Sequence, residues 1–203
     1  MTEKLRGKLI VGITGATGTI FGVRLLQILE GTGVETHLVM SKWGMRTLLH
    51  ETPYKVEEVE RLATHLYQAG DQGAALSSGS FLTDGMIIAP CSMKTLAAIA
   101  HGIGENLIHR AADVILKERR KLVLMVRESP LSEIHLGNML KLSRMGVVIL
   151  PPMPAFYNQP RNIDDIVNHT VQRALDQFNI HIDVVSRWDG AMLRGGKVSS
   201  TSE

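Results

Sequence analysis

Five apolar runs of strand length recur along this chain, at 9–13, 36–40, 86–89, 122–126 and 147–150, and stretches of helical periodicity separate most of them. Runs such as Leu122-Val123-Leu124-Met125-Val126 show no polar alternation. A strand of that kind must be covered on both faces, so the pattern predicts an α/β fold in which a mostly parallel sheet lies between two layers of helices. Ligands of such sheets sit outside the carboxyl ends of the strands. The residues directly after each run are therefore the first candidates for a site.

The first run, Lys8 to Thr14, breaks straight into Gly15-Ala16-Thr17-Gly18-Thr19-Ile20-Phe21-Gly22 and then into a helical pattern over Val23 to Glu30. A strand, a tight glycine turn and a helix start leave free backbone N–H groups at the helix N-terminus, where an anion is well held. The segment Thr14 to Gly18 also looks like the opening of an extended short-chain dehydrogenase, and a lone glycine fingerprint does not decide between cofactors. Two features speak against a dinucleotide. The second run ends in Ser41-Lys42 rather than in the acidic residue that holds an adenosine ribose, and none of Tyr54, Tyr67 and Tyr157 has a lysine four residues on. A mononucleotide fits better.

Composition sets the outer limits. A length of 203 residues, 44% of them hydrophobic and 21% charged, suits one core, and the expected organisation is a single domain over 1–188 followed by a Gly- and Ser-rich tail or inter-subunit arm over 189–203. A net charge of +2 and an aromatic content of 4% offer nucleic acid neither a basic surface nor stacking platforms. The single Cys91 cannot form an internal disulfide, and the N-terminal segment lacks the apolar core of a signal peptide. No apolar stretch approaches the roughly 18 to 20 residues of a spanning helix. A cytoplasmic protein with no membrane span is expected. None of the eight histidines falls into a metal-ligand spacing, so no metal site is expected either.

Several side chains sit where chemistry would be done. Ala89-Pro90-Cys91-Ser92-Met93-Lys94-Thr95 precedes the helix Leu96 to His101, and Ser92 reads first as an N-cap. The same position lets Ser92 and Thr95 offer hydroxyls and N–H groups to a ligand of the glycine loop. Cys91 reads as a small buried hydrophobe rather than a nucleophile. In the helix Asn106 to Glu118, Leu107, Ile108, Ala111, Ala112 and Ile115 form one apolar face. Arg110 and Lys117 share another, roughly 10 Å apart along the axis; Asp113 lies between them, and a solvated Asp–Arg pair is the plainer reading. Arg127 and Glu128 end the next run, where Arg matches phosphate oxygens and Glu moves protons, with ion pairing as the alternative. The loop 151–160 carries four prolines and holds Tyr157. His135 reads as a helix residue with a local hydrogen bond. Residues 56–66 read as a polar helix, and Gly73 to Ser80 as either a ligand-facing loop or a surface connection.

Taken in order, Thr14 to Gly18, Ser41-Lys42, Pro90 to Thr95, Arg110 to Arg119, Val126-Arg127-Glu128, Ser132 to Leu140 and Phe156-Tyr157-Asn158-Gln159-Pro160 resemble the UbiX-type flavin prenyltransferases, over residue 8 to Trp188. The resemblance implies a flavodoxin-like or Rossmann-like three-layer sandwich, a homo-oligomer that is typically a dodecamer, and active sites at subunit boundaries. It implies two substrates, reduced FMN and dimethylallyl monophosphate. The prenyl group joins flavin N5 and then C6 without a metal, and the prenylated FMN serves a partner UbiD-type decarboxylase. By matching position, FMN would be held by Gly15, Ala16, Thr17, Ser41, Ser92, Met93, Lys94, Thr95 and Arg127. The prenyl phosphate would be held by Tyr157, Arg173, Arg110 and Lys117, with Glu128, Lys117 and Glu51 as catalytic groups.

Two departures from the family accompany this. Thr17 stands where many relatives carry Ser, and a tryptophan ahead of the Ser-Gly-Ser segment has its nearest counterpart in Phe81. The rival functions are a non-catalytic FMN-binding subunit of an aromatic acid decarboxylase and a flavin-dependent cysteine decarboxylase. The latter uses a histidine in the helix after the first strand, and residues 18–31 contain none.

Overall fold

All five apolar runs are strands of one parallel sheet in the computed structural model, which describes residues 7–188 and Gly190. The strands are β1 (Gly7–Ile13), β2 (Val34–Met40), β3 (His65–Gln68), β4 (Gly85–Cys91), β5 (Lys121–Val126) and β6 (Val148–Ile149). The helices are α1 (Ile20–Leu29), α2 (Lys42–Glu51), α3 (Val56–Glu60), α4 (Met93–Ala100), α5 (Leu107–Lys117), α6 (Glu133–Arg144) and α7 (Ile163–Asp176). The predicted tail over 189–203 lies, Gly190 apart, outside the described residues. Among the described residues no helix is long and apolar enough to cross a membrane.

The strand order is β3-β2-β1-β4-β5-β6 with every pairing parallel. Without the short edge strand β3 this is the flavodoxin order, and with it the Rossmann order; in both, the direction of winding reverses between β1 and β4. The central strands are apolar on both sides because both sides are covered. One face of the sheet packs α1 and α7 through Leu25, Leu26, Val167, Val171 and Leu175, and the other packs α4 and α5 through Leu96, Ile108, Ala112 and Ile115. Each fully buried aliphatic side chain contributes roughly 1.5–3 kcal/mol. Contact between α1 and the sheet is close enough to require glycine at position 22, where a Cβ would lie 2.5 Å from the Ala89 carbonyl oxygen.

Pro90 lacks a ladder donor, and the β4–β5 register shifts between Ile88 and Cys91. Its carbonyl oxygen instead accepts from Thr14, from N–H at 3.3 Å and from Oγ1 at 2.7 Å. These bonds tie the ends of β1 and β4 together at the reversal point. The ligand crevice of the fold thus has a rigid floor.

Residues 56–66 differ from the expected single helix. α3 ends at Glu60, Thr64 exchanges two hydrogen bonds with Thr36, and His65 to Gln68 pair with β2 as an edge strand. Only Val59 of α3 is buried, so little packing extends the helix, and sheet pairing takes the residues that follow. The Gly73–Ser80 segment is a packed connection rather than an open loop. Leu76 is buried against α5, and the Arg120 guanidinium donates to the Gly79 and Phe81 carbonyls.

Candidate active site

Each strand-to-helix connection brings a helix start to the carboxyl end of the sheet. Ser41 caps α2, its Oγ accepting from Gly44 N–H at 3.0 Å, and Ser92 caps α4, its Oγ accepting from Thr95 N–H at 3.3 Å. Thr14 Oγ1 accepts from Ser92 N–H at 2.9 Å, fixing the α4 start against the glycine loop. The first N–H groups of α2 (Lys42, Trp43) and of α4 (Met93, Lys94) have no acceptor within their helices. The N–H groups of Gly15, Ala16 and Thr17 donate to no protein acceptor among the described residues. These two helix starts and this loop make a cluster of open donors that suits an anion.

Glu51 divides the loop in two. From the end of α2 its Oε2 accepts from Gly18 N–H at 2.8 Å, Thr19 N–H at 3.3 Å and Thr19 Oγ1 at 3.3 Å. Partial burial pushes its carboxyl up, but the bonds from Thr17, Gly18 and Thr19 together outweigh this and hold it below the usual range. An ionised Glu51 braces the second half of the loop and leaves Gly15 to Thr17 open. At position 15 a Cβ would lie 2.5 Å from Trp43 Cβ, so glycine lets α2 close against the loop. Trp43 itself is exposed, with Arg46 5.0 Å from its ring centre. It has the makings of a stacking surface and was marked in sequence only by being one of two tryptophans and following Ser41-Lys42.

Arg127 and Glu128 lie at the same end. Arg127 N–H donates to the Cys91 carbonyl at 3.2 Å, and Glu128 Oε1 accepts from Ser129 N–H at 3.0 Å. Both side chains are exposed, and among the described residues they form no ion pair. Cys91 is fully buried and burial pushes its thiol up, so it is inert. His135 makes the local bond expected of it, with Nδ1 accepting from Ser132 N–H at the start of α6.

The remaining predicted residues lie elsewhere in the chain. α5 begins where Leu107 N–H donates to the Ala69 carbonyl, just past the carboxyl end of β3, and runs back toward the start of β5. Its 11 residues span about 16 Å. Arg110, near the beginning, pairs with Asp113 at 2.7 Å. Lys117, at the other end, pairs with Glu118 beside Gly79. Tyr157 and Arg173 share a separate cleft of about 390 Å³ along α7 with His169, Gln172, Arg187 and Trp188. There Tyr157 Oη lies 3.1 Å from His169 Nε2, Trp188 meets the phenol edge-on at 5.6 Å, and Arg173 pairs with Asp176. Burial, then the Arg173 charge, keeps the His169 imidazole below its usual value. Phe81 is also away from the loop, edge-on to His37 at 5.2 Å near the amino ends of the strands. One group of metal-ligating side chains comes together among the described residues, Glu35, His37 and His65, at that same amino end. No linear spacing announces it, because the strands β2 and β3 bring it together.

A doubly wound parallel sheet with open helix starts at its reversal point is a nucleotide-binding architecture. A family model described as Flavoprotein matches residues 1–175. A Bacillus subtilis protein named as a probable UbiX-like flavin prenyltransferase is 63% identical over 183 residues, 90% of each chain. A dodecameric FMN-dependent UbiX-like decarboxylase from Escherichia coli O157:H7 has the same fold, with a TM-score of 0.89 and 61% identity over 90% of this chain and 100% of that one. A crystal structure of AnUbiX (PadA1) in complex with FMN and dimethylallyl pyrophosphate superposes with a TM-score of 0.90 at 51% identity, covering 92% of this chain and 99% of that one. The chain belongs to the UbiX-like flavin prenyltransferase family of flavoproteins.

Proposed function

We propose that this protein transfers the dimethylallyl group of dimethylallyl monophosphate to reduced FMN, giving prenylated FMN for a UbiD-type decarboxylase. The observation that carries the reading is the donor cluster at the carboxyl end: free N–H groups of Gly15, Ala16 and Thr17 beside the capped starts of α2 and α4. It fits a phosphate-bearing mononucleotide, and relatives of this identity carry the flavin prenyltransferase name. Reduced flavin supplies the nucleophilic N5 and C6. Ser41, Ser92, Met93, Lys94, Thr95 and Arg127 would hold and orient it with the glycine loop.

The carbon–oxygen bond of the prenyl phosphate breaks as carbon–nitrogen bonding begins, so negative charge grows on the leaving phosphate. Lys117, Arg110, Arg173 and Tyr157 are the groups to meet that charge, and Glu128 is the group to protonate it. Lys117 sits at the end of α5 opposite to the one beside the carboxyl end of β3, and Tyr157 and Arg173 line a separate cleft, which supports a site that does not rest on one chain. We infer that neighbouring chains complete the site in a homo-oligomer, with the dodecamer of the E. coli relative as the pattern. Exposed apolar side chains on and beside α6 and α7, including Ile134, Leu136, Leu140, Phe156 and Ile163, give such contacts an apolar surface.

The test is anaerobic incubation with reduced FMN and dimethylallyl monophosphate, followed by mass spectrometry of the extracted flavin. The expected result is a flavin heavier by one prenyl group. Unmodified flavin, with either the monophosphate or the diphosphate as donor, overturns the reading.

A further inference from the structure

The amino end of the sheet holds a polar cluster that the flavin chemistry does not use. Glu35 and His37 are two residues apart on β2 and so face the same side of the sheet. His65 on β3 stands directly opposite His37 in the parallel register, and Tyr67 follows two residues later on that side. The His37 and His65 rings stack with centres 4.7 Å apart. Both turn Nε2 toward one carboxylate oxygen: Glu35 Oε1 lies 2.8 Å from His65 Nε2 and 3.3 Å from His37 Nε2.

His37 is 1% exposed, and its Nε2 has no hydrogen-bond partner in acceptable geometry among the described residues. A buried polar atom left unpaired is destabilising, so an orphan aimed at a carboxylate asks for a reason. Its other nitrogen, Nδ1, lies 3.1 Å from Tyr67 Oη. In the tautomer whose Nδ1–H donates to the phenol oxygen, Nε2 keeps a bare lone pair on the side of Glu35. This is how metal-bound histidines are held, one nitrogen on the ion and the other on an outer partner.

We propose that Glu35, His37 and His65 form a binding site for a divalent transition-metal ion of the zinc class. Ligands about 2.0–2.2 Å from a tetrahedral ion are about 3.3–3.5 Å apart. The His37–Glu35 separation already matches, and His65, whose side chain is 47% exposed, needs to withdraw by about half an ångström. Two imidazoles and a carboxylate favour zinc, cobalt or nickel over magnesium or calcium. Three protein ligands leave one position for water. A cleft of about 540 Å³ lined by Lys8, Glu35, Thr83 and Asp84 opens beside the cluster and gives the ion a way in. Lys8 Nζ, 3.4 Å from Glu35 Oε2, is the competing cation. The bound ion would fasten the four-residue edge strand β3 to β2.

Untagged full-length protein, stripped with a chelator and dialysed, is titrated with Co²⁺ and followed by the visible ligand-field bands of the four-coordinate ion. Expected are one equivalent of Co²⁺ per chain, displacement by Zn²⁺, and a rise in Tm with Zn²⁺. Glu35→Gln and His65→Asn, both at partly exposed positions, each weaken binding by about tenfold or more and abolish the Tm rise. Lys8→Met tightens binding by removing the competing ammonium. The proposal is overturned if the parent takes up less than one equivalent at millimolar metal, or if Glu35→Gln and His65→Asn titrate like the parent.

Discussion

At the carboxyl end of the sheet the polar groups without a partner among the described residues are donors: backbone N–H of Gly15, Ala16 and Thr17 and the first turns of α2 and α4. At the amino end a carboxylate and two imidazoles converge instead, with Nε2 of His65 and of His37 turned toward Glu35 Oε1 and only His37 Nε2 left without a partner among the described residues. Connectivity produces much of the contrast. In a parallel sheet each helix starts where a strand has just ended, so helix N-termini, with their partial positive charge, gather at one end and helix C-termini at the other. One fold can thereby carry the proposed anion and cation sites at opposite ends of its strands without a large net charge.

Lys117 and Glu128 give the strongest test of that contrast, because the proposed reaction needs a residue from each end. Lys117→Ala and Glu128→Ala are each expected to slow prenyl transfer by about 10²-fold or more, with Tm little changed. Mixing the two variants under subunit exchange regains part of the activity, read as prenylated flavin by mass. Failure of the mixture to regain any would mean that one chain assembles the site after all.

The next largest effect is on the scaffold of the carboxyl end. Gly22→Ala forces a methyl against the Ala89 carbonyl and the Ile13 side chain, and urea unfolding should show a loss of about 1–3 kcal/mol. An unchanged urea midpoint would mean that α1 moves off the sheet without cost.

Glu51→Gln removes the anion that braces Gly18 and Thr19, for an expected loss of about 1–2 kcal/mol at neutral pH. The sign of its pH dependence follows from a folded-state value below the ordinary 4.5. Its contribution is complete above 4.5 and disappears as pH falls through the lower folded value. The acid limb of a stability–pH curve should therefore be shallower in Glu51→Gln, and parallel limbs would exclude this role. Ser92→Ala is the mildest, at about 1 kcal/mol for the lost cap, accompanied by weaker FMN binding in a fluorescence titration. A stability loss with unaltered FMN affinity would confine Ser92 to capping.

Much of this is legible in the sequence. Val123 and Leu124 had to be covered on both faces, which required a parallel sheet between helices, and a glycine turn after the first strand required open donors at its end. Ser92 as a cap and Cys91 as a buried hydrophobe followed from the same local chemistry. The edge strand β3 was hidden because His65 and Tyr67 carry no two-sided apolar pattern; their strand character comes from pairing with β2. Glu51 matches an acidic site position of the family, yet its hold on the glycine loop depends on where α2 ends.

Sequence by itself determined the layers, the location of the ligand edge and the family, because periodicity, turn chemistry and motif order are local properties. Tertiary structure alone decided which distant residues meet. It sent Lys117 to the far end of α5 from the carboxyl end of β3, put Tyr157 and Arg173 in a cleft of their own, and set His37 against His65 across a strand pair. Those outcomes rest on strand register and helix length. Spacing along the chain does not encode them.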